Sequence, residues 1–317
     1  MKLIEISLEE VLRDSFFCFT SVSDIGFLKR SVLESGIRTP LHVLAARKGY
    51  RLLSGFKRFG AAVELGLERI PAAVHSEKAP LERLFREVLL EHLTCETLSI
   101  VEKARVLRIL DRLGVPWESM KTDFLPILDL PERSEIIEEV KDVLRFSSTV
   151  QDYIERYGLS LKQTKMFTGL SVHQEELFVS LGMNLQIRSV ELSEIISIFR
   201  DIFGKEKIPV EQVYDDLGID ALLENTELSR NEKILRIKKE LQKRRYPRLG
   251  SWNENLERLK REMKLPERVR LSWDRSLEVQ GFVLRAEIRS AGDVEKIAVC
   301  LSSEENRRRF EEMLRVV

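Results

Sequence analysis

Apolar and polar residues alternate from Leu3 to Leu8, the two-residue period of a half-buried strand. An aromatic run, Ser15 to Thr20, predicts a second strand. Val22 to Ser35 follows a helical period, with Ser23 or Asp24 as cap and Gly36 as terminator. Leu41 to Ala46 and Tyr50 to Leu53 are short apolar runs joined by Arg47-Lys48-Gly49, which predicts a hairpin. Ser54-Gly55 then breaks the run and offers an N-cap. Phe56 to Leu65 is helical, with Phe59, Ala62, Val63 and Leu65 toward a core and Lys57 and Arg58 pointing outward in the first turn. Gly66 closes that helix, and Ile70 to Val74 predicts another strand. Helices follow at Pro80 to His92 and Ser99 to Leu113, the second opened by a Ser99/Glu102 capping box. Residues 1–95 thus read as one compact α+β domain.

From Ser99 to about Arg200 the pattern is helix after helix. Residues 208–228 hold acids and no bases, among them Glu211, Asp215, Asp216 and Asp220. The next stretch reverses the sign. Arg230, Lys233, Arg236, Lys238, Lys239, Lys243, Arg244, Arg245 and Arg248 face only Glu232 and Glu240, and Ile234, Leu235, Ile237 and Leu241 keep an apolar stripe. This is an amphipathic helix ending before Pro247. Its cations are either a contact for nucleic-acid phosphates or partners for the acidic run just upstream. Beyond it, Trp252 to Met263 is helical, Val269 to Trp273 and Val279 to Ile288 are strands, and Ser290 to Leu301 and Ser303 to Leu314 are helices. So few strands leave an uncovered edge, which predicts pairing with a second copy through Val279, Phe282 and Leu284. The expected division is 1–95, a helical 96–228, a basic helix or linker 229–250, and a small α/β (helix-strand-strand-helix) unit 251–317.

A chain of 317 residues with 43% apolar content can bury more than one core. The formal net charge is zero, but it is divided: residues 229–317 hold 23 Lys/Arg against 15 Asp/Glu, +8, leaving −8 for residues 1–228. Cys18, Cys95 and Cys300 fit neither a disulfide framework nor a zinc spacing. The start, MKLIEISLEE, is not a signal peptide, and no apolar run approaches the ~20 residues of a membrane span. The expectation is a cytoplasmic protein without a membrane partner.

The stretch from Gly49 to Val74 organises the rest. Cations are unfavourable at a helix N-terminus, where the dipole is already positive. Lys57 and Arg58 there point to an anion held between them and free backbone N–H groups. The alternative is an ordinary strand–turn–helix with two solvated charges. His75 and His92 stand without metal-ligand companions, and Cys95 reads as a small buried side chain.

Three segments together resemble the N-terminal domain of ParB-type partition proteins: Gly36-Ile37-x-x-Pro40-Leu41, then YRLLSGFKRFGAA and its continuation from Tyr50 to Val74, then EHLTCETLSIVEKA from Glu91 to Ala104. The resemblance implies a ParB/sulfiredoxin-like N-terminal α+β fold followed by helical and dimerisation-type domains. It also implies a pocket for CTP, or another nucleoside triphosphate, with Mg2+. The pocket residues it implies are Thr39, Pro40, Ser54, Gly55, Lys57, Arg58 and Glu91, with Glu91 on the metal. Phe56 stands where the family has an acidic residue, Thr39 where it has Gln, His92 where it has Asn and Cys95 where it has Arg. A cysteine cannot reproduce a bidentate phosphate clamp, and no sulfiredoxin-type cysteine lies beside Phe56. Turnover, if any, is therefore that of a weak nucleotide triphosphatase.

The family continues with a helix-turn-helix. Here the interval from Gly114 to Leu128-Asp129-Leu130-Pro131 is too short for two helices at ~1.5 Å per residue. A rival helix-turn-helix lies at Val150 to Leu170. The expected function is a nucleotide-sensing, DNA-associated homodimer, with a partner ATPase as a further candidate partner, that contacts DNA without sequence preference through Lys238, Lys239, Lys243, Arg244, Arg245 and Arg248. Two alternatives stand beside it: a phosphoryl-transfer enzyme, a free amino acid kinase or nuclease on the same fold, and an interaction scaffold without ligand.

Overall fold

The computed structural model describes residues 2–21, 25–275, 279 and 281–315. The expected helix caps Ser23 and Asp24 lie outside the described residues, as does the Arg248 side chain. The chain forms two compact units, Met1–Leu181 and Gly182–Val317.

The first unit is built on a five-stranded sheet in the order β1-β5-β3-β4-β2. The strands are β1 (Lys2–Ser7), β2 (Val11–Leu12), β3 (Leu41–Ala46), β4 (Gly49–Ser54) and β5 (Arg69–His75). β3 and β4 form the predicted hairpin, with Ala46 opposite Gly49. β5 runs parallel to β3 and antiparallel to β1. Gly49 has φ +97°, and a Cβ there would lie 2.1 Å from the Glu10 carbonyl oxygen, so only glycine fits. Side-chain alternation sends successive residues to opposite faces. Leu41, Val43 and Leu52 join Ala62 of α2 (Phe56–Glu64) and Ile70 in one core. Leu44 and Leu53 face the other way, onto Phe85, Val88 and Leu89 of α3 (Leu81–Leu93) and Leu107 and Leu110 of α4 (Ile100–Leu113). α1 (Gly26–Ser35) precedes β3 and ends at Gly36, φ +68°.

The aromatic run 15–20 is not a strand. The free side of β4 is taken by β2, in parallel register, and Asp14 bends the chain by accepting the Phe16 N–H at 3.1 Å. The segment instead drops Phe17 and Phe19 into the second core, where both lie against Phe85 with ring centroids 5.9 and 6.0 Å away.

The Ser99 capping box forms as expected and α4 ends at left-handed Gly114. The next interval holds only the three-residue α5 (Trp117–Ser119) and one wide turn, Met120–Phe124, whose Met120 and Phe124 are buried. α6 (Ser134–Asp142) and α7 (Ser148–Tyr157) follow. In the rival segment, Gly158 turns the chain but α8 (Leu161–Thr164) is one turn long. α9 (Val172–Asn184) closes the first unit and enters the second.

The second unit begins with α10 (Ser189–Glu206), α11 (Val210–Asp216), α12 (Ile219–Glu224), α13 (Arg230–Arg245) and α14 (Pro247–Glu262). It ends with the antiparallel pair β6 (Val269–Trp273) and β7 (Phe282–Ala286), then α15 (Ala291–Ser302) and α16 (Glu304–Leu314). Leu256, Leu259, Met263, Leu271, Trp273 and Met313 make a small core there. β6 alternates buried and exposed as a covered strand should, but β7 is exposed from Val283 onward and α15 buries no residue fully. Among the described residues no helix is long and apolar enough to cross a membrane.

Candidate functional site

The β4–α2 turn sets the geometry. Ser54 pairs with His42 in the sheet, so it belongs to the strand and does not cap the helix as expected. Gly55 is the N-cap, in left-handed conformation with φ +94° and ψ 24°, and no side chain caps α2. The N–H groups of the first helical turn have no partner within the helix, so they open outward beside Lys57, a ready anion site. Lys57 has no ion-pair partner among the described residues.

Arg58 does not point outward. Its Nη1 donates to the carbonyl oxygens of Thr39 at 2.5 Å and Pro40 at 2.8 Å. It thus ties the turn before β3 to the start of α2 and brings Thr39, Pro40, Gly55 and Arg58 together. Burial lowers the Arg58 pKa from its ordinary value, and the Glu91 carboxylate opposes that shift. The other terminal nitrogen, Nη2, sits beside Gly55, 3.4 Å from where a Cβ would be.

Glu91, on α3, pairs with His42 Nε2 at 3.3 Å, and its side chain is half-exposed. His42 Nδ1 lies 3.2 Å from His75 Nε2, the rings stacked at 5.4 Å. His75 is therefore not alone. Burial, and then the charge of His42, lowers its pKa. The pairing was hidden because it depends on register: β3 and β5 run parallel with His42 opposite Ala73 and His75 two residues on, diagonal neighbours on one face. His92 packs edge-on against Phe19 at 5.2 Å; its Nε2 is buried without a hydrogen bond, 3.7 Å from the Glu96 carboxylate. Cys95 is exposed, not buried, and free.

Among the described residues no group of three or more His, Cys, Asp or Glu could hold a metal ion. Glu91 is a half-exposed carboxylate close enough to Arg58 to act on its charge. That fits Mg2+ only in its usual mode, with one protein carboxylate and the remaining ligands from phosphate and water.

The cations of α13 are mostly engaged within the second unit. Lys238 pairs with Glu194 at 2.7 Å, Lys243 with Glu254 at 3.1 Å, and Arg245 with Asp201 at 2.5 Å. Arg244 bridges Glu206 and Asp216, each at 2.9 Å. Lys239 is exposed, and the Arg248 side chain lies outside the described residues. Charge patterning in the sequence could not decide which acids these cations would meet, because Glu194, Asp201 and Glu206 come from α10, not from the acidic run.

No protein-family model matches the chain. Stage 0 sporulation protein J of Bacillus subtilis (strain 168) is 30% identical over 230 residues, covering 62% of this chain and 80% of that protein. Chromosome-partitioning protein Spo0J of Thermus thermophilus is 36% identical over 95 residues, 29% of this chain and 34% of that protein. Among solved structures, the C-terminally truncated chromosome-partitioning protein ParB from Caulobacter crescentus complexed with CTP-gamma-S covers 56% of this chain and 98% of its own. Its identity is 17% and its TM-score 0.27, and at that score the superposition carries no weight for ligand or partner.

Proposed function

The chain belongs to the ParB-type partition proteins, and on that premise we propose that it is a nucleotide-sensing, DNA-associated member of them, using the α2 turn as its nucleoside-triphosphate site. The observation that carries this reading is the α2 N-terminus without a side-chain cap, with Lys57, which has no ion-pair partner among the described residues, in its first turn and Arg58 and Glu91 beside it. Backbone N–H groups and Lys57 would take the phosphates. Arg58, already tied to Thr39 and Pro40, would present its remaining donors and hold the 39–40 turn at the pocket edge. Glu91 would supply the carboxylate for Mg2+, which screens the phosphate charge when bound, and His42 fixes where that carboxylate points. CTP is the nucleotide the family resemblance suggests.

DNA reading by a recognition helix is not part of this proposal. Such a helix must lie in the major groove, and α5 and α8 are one turn each. Contact would be to the backbone, salt-dependent, through the exposed Lys239 and Arg236 of α13. We place a homodimer contact on the exposed β7 and α15 surface, where Val279, Val283, Ile288, Val294 and Val299 are each between 49% and 70% exposed. Phe282 and Leu284 stand opposite Trp273 and Leu271 of β6, and Leu284 is among the exposed apolar residues.

A thermal-shift screen with CTP, ATP and GTP, each with and without Mg2+, tests the site. A ligand binding only the native state adds ~2.7 kcal/mol of stability at a hundred times its dissociation constant. The expected result is a shift with at least one nucleotide that Lys57→Ala abolishes. No shift with any of the three would leave a ligand-free scaffold as the better description.

A further inference from the structure

A cluster of cations lines a concavity in the first unit that shares no residue with the proposed nucleotide site. Helix α4 carries Arg105, Arg108 and Arg112, three and four residues apart and therefore neighbours on one face. With Ser15, Cys18 and Thr20 they line a concavity of about 380 Å3.

The acids around it are already engaged. Arg105 donates to Glu155 at 2.7 Å, Arg51 to Asp14 at 2.7 Å, and Lys141 pairs with Asp111 at 2.7 Å. Glu102 accepts the Ser99 N–H in the capping box. Among the described residues Arg108 and Arg112 have no acidic partner. Arg112 lies over the Phe16 ring at 5.9 Å, on which Arg51 also lies, at 5.7 Å. Burial lowers the Arg108 pKa, and the charges of Arg112 and Arg105 lower it further, so the cations repel one another. Burial raises the Cys18 pKa, which keeps the thiol neutral beside them. Neither the Ser15 nor the Thr20 hydroxyl has a hydrogen-bond partner among the described residues. Two uncompensated guanidiniums and two free hydroxyls in one hollow match the charge and donor needs of a compact dianion.

We propose that this concavity binds a phosphate dianion, inorganic or as a monoester of a small molecule, with Arg108 and Arg112 as its cationic anchors. The occupant is a small molecule and not a nucleic-acid backbone, because a phosphodiester carries one charge where two guanidiniums are unmatched.

The test is the 31P line width of inorganic phosphate at millimolar concentration and constant ionic strength, with the full chain in excess chloride. We expect broadening by K57A, in which the α2 site is disabled, and a loss of at least fivefold when R108A/R112A or the length-preserving R108Q/R112Q is added to that background. Glycerol 3-phosphate should compete. Both arginines are exposed, and circular dichroism is the check that the variants fold. Broadening that survives when either arginine pair is replaced in the K57A background, or that does not occur in K57A itself, overturns the proposal. So does binding of a 20-base-pair duplex that depends on Arg108 and Arg112 while phosphate itself does not bind.

Discussion

Gly55→Ala perturbs the α2 turn at its centre. Two effects add. An L-residue in the left-handed region costs about 1–2 kcal/mol. The added Cβ would also lie 3.1 Å from Leu41 Cγ and 3.4 Å from Arg58 Cζ. Leu41 is fully buried and cannot give way, so the β4–α2 turn must shift away from it, and Arg58, already at van der Waals distance from the new Cβ, moves with the turn. Loss of one of its two carbonyl bonds costs about 1.5–3 kcal/mol, the range for a hydrogen bond to a charged group. The sum is roughly 2.5–5 kcal/mol, and for a unit of this size each kcal/mol moves Tm by ~2–4 °C. The expected fall is therefore about 5–20 °C in the transition of the first unit. Gly66→Ala is the control: φ there is +66°, but nothing lies within 4 Å of the new Cβ, so only the ~1–2 kcal/mol backbone cost applies. Differential scanning calorimetry on both variants decides. Equal shifts would show that Arg58 is not held against Gly55, and the reasoning about the pocket edge would fall with it.

Other outcomes follow from single contacts. The folded His75 pKa lies below its ordinary 6.5, so on acidification the unfolded state takes the proton first; stability is full above pH 6.5 and falls below it. His75→Gln should flatten that part of the Tm–pH curve between pH 7 and 5, and an unaltered slope would refute the burial argument. Val283→Asp with Val299→Asp should convert the proposed dimer to monomer by light scattering, since both side chains are exposed on the surface assigned to the contact; a parent chain that is already monomeric at tens of micromolar would remove the assignment. If DNA is bound through its backbone, neutralising Arg236 and Lys239 should lower the slope of log affinity against log salt by ~0.9 each. Arg244→Gln should instead lower Tm and leave the slope alone, because Arg244 is spent on Glu206 and Asp216.

Much of this fold could be read from local patterning. The β3–β4 hairpin, the Ser99 capping box and the strand at Val269–Trp273 stand where period and turn residues put them. So does the family: three short segments, ordered along some seventy residues, carried a resemblance that the similarity to the Bacillus subtilis protein bears out. What stayed hidden was tertiary. The 15–20 run has strand-like composition, but β2 already occupies the edge it would need. Arg58 looks like a surface cation because a helical period says nothing about the carbonyls of Thr39 and Pro40, which come from a turn some twenty residues upstream. His42 and His75 are 33 residues apart and meet only through parallel register. Cations and acids on α10, α11 and α13 have no preferred pairing until packing brings them within reach.

In the proposed site Lys57 and Glu91 hold the nucleotide at the α2 turn. Arg58 is a poor probe of it, since removing that side chain also frees the 39–40 turn. The direct measurement is a calorimetric titration of CTP with Mg2+ into the parent chain, Lys57→Ala and Glu91→Gln, with Arg108→Ala/Arg112→Ala alongside. The account predicts saturable binding by the parent and by the α4 variant, weakened at least tenfold in Lys57→Ala, and losing its Mg2+ dependence in Glu91→Gln. Equal affinity across all four proteins, or no heat of binding in the parent, would contradict it.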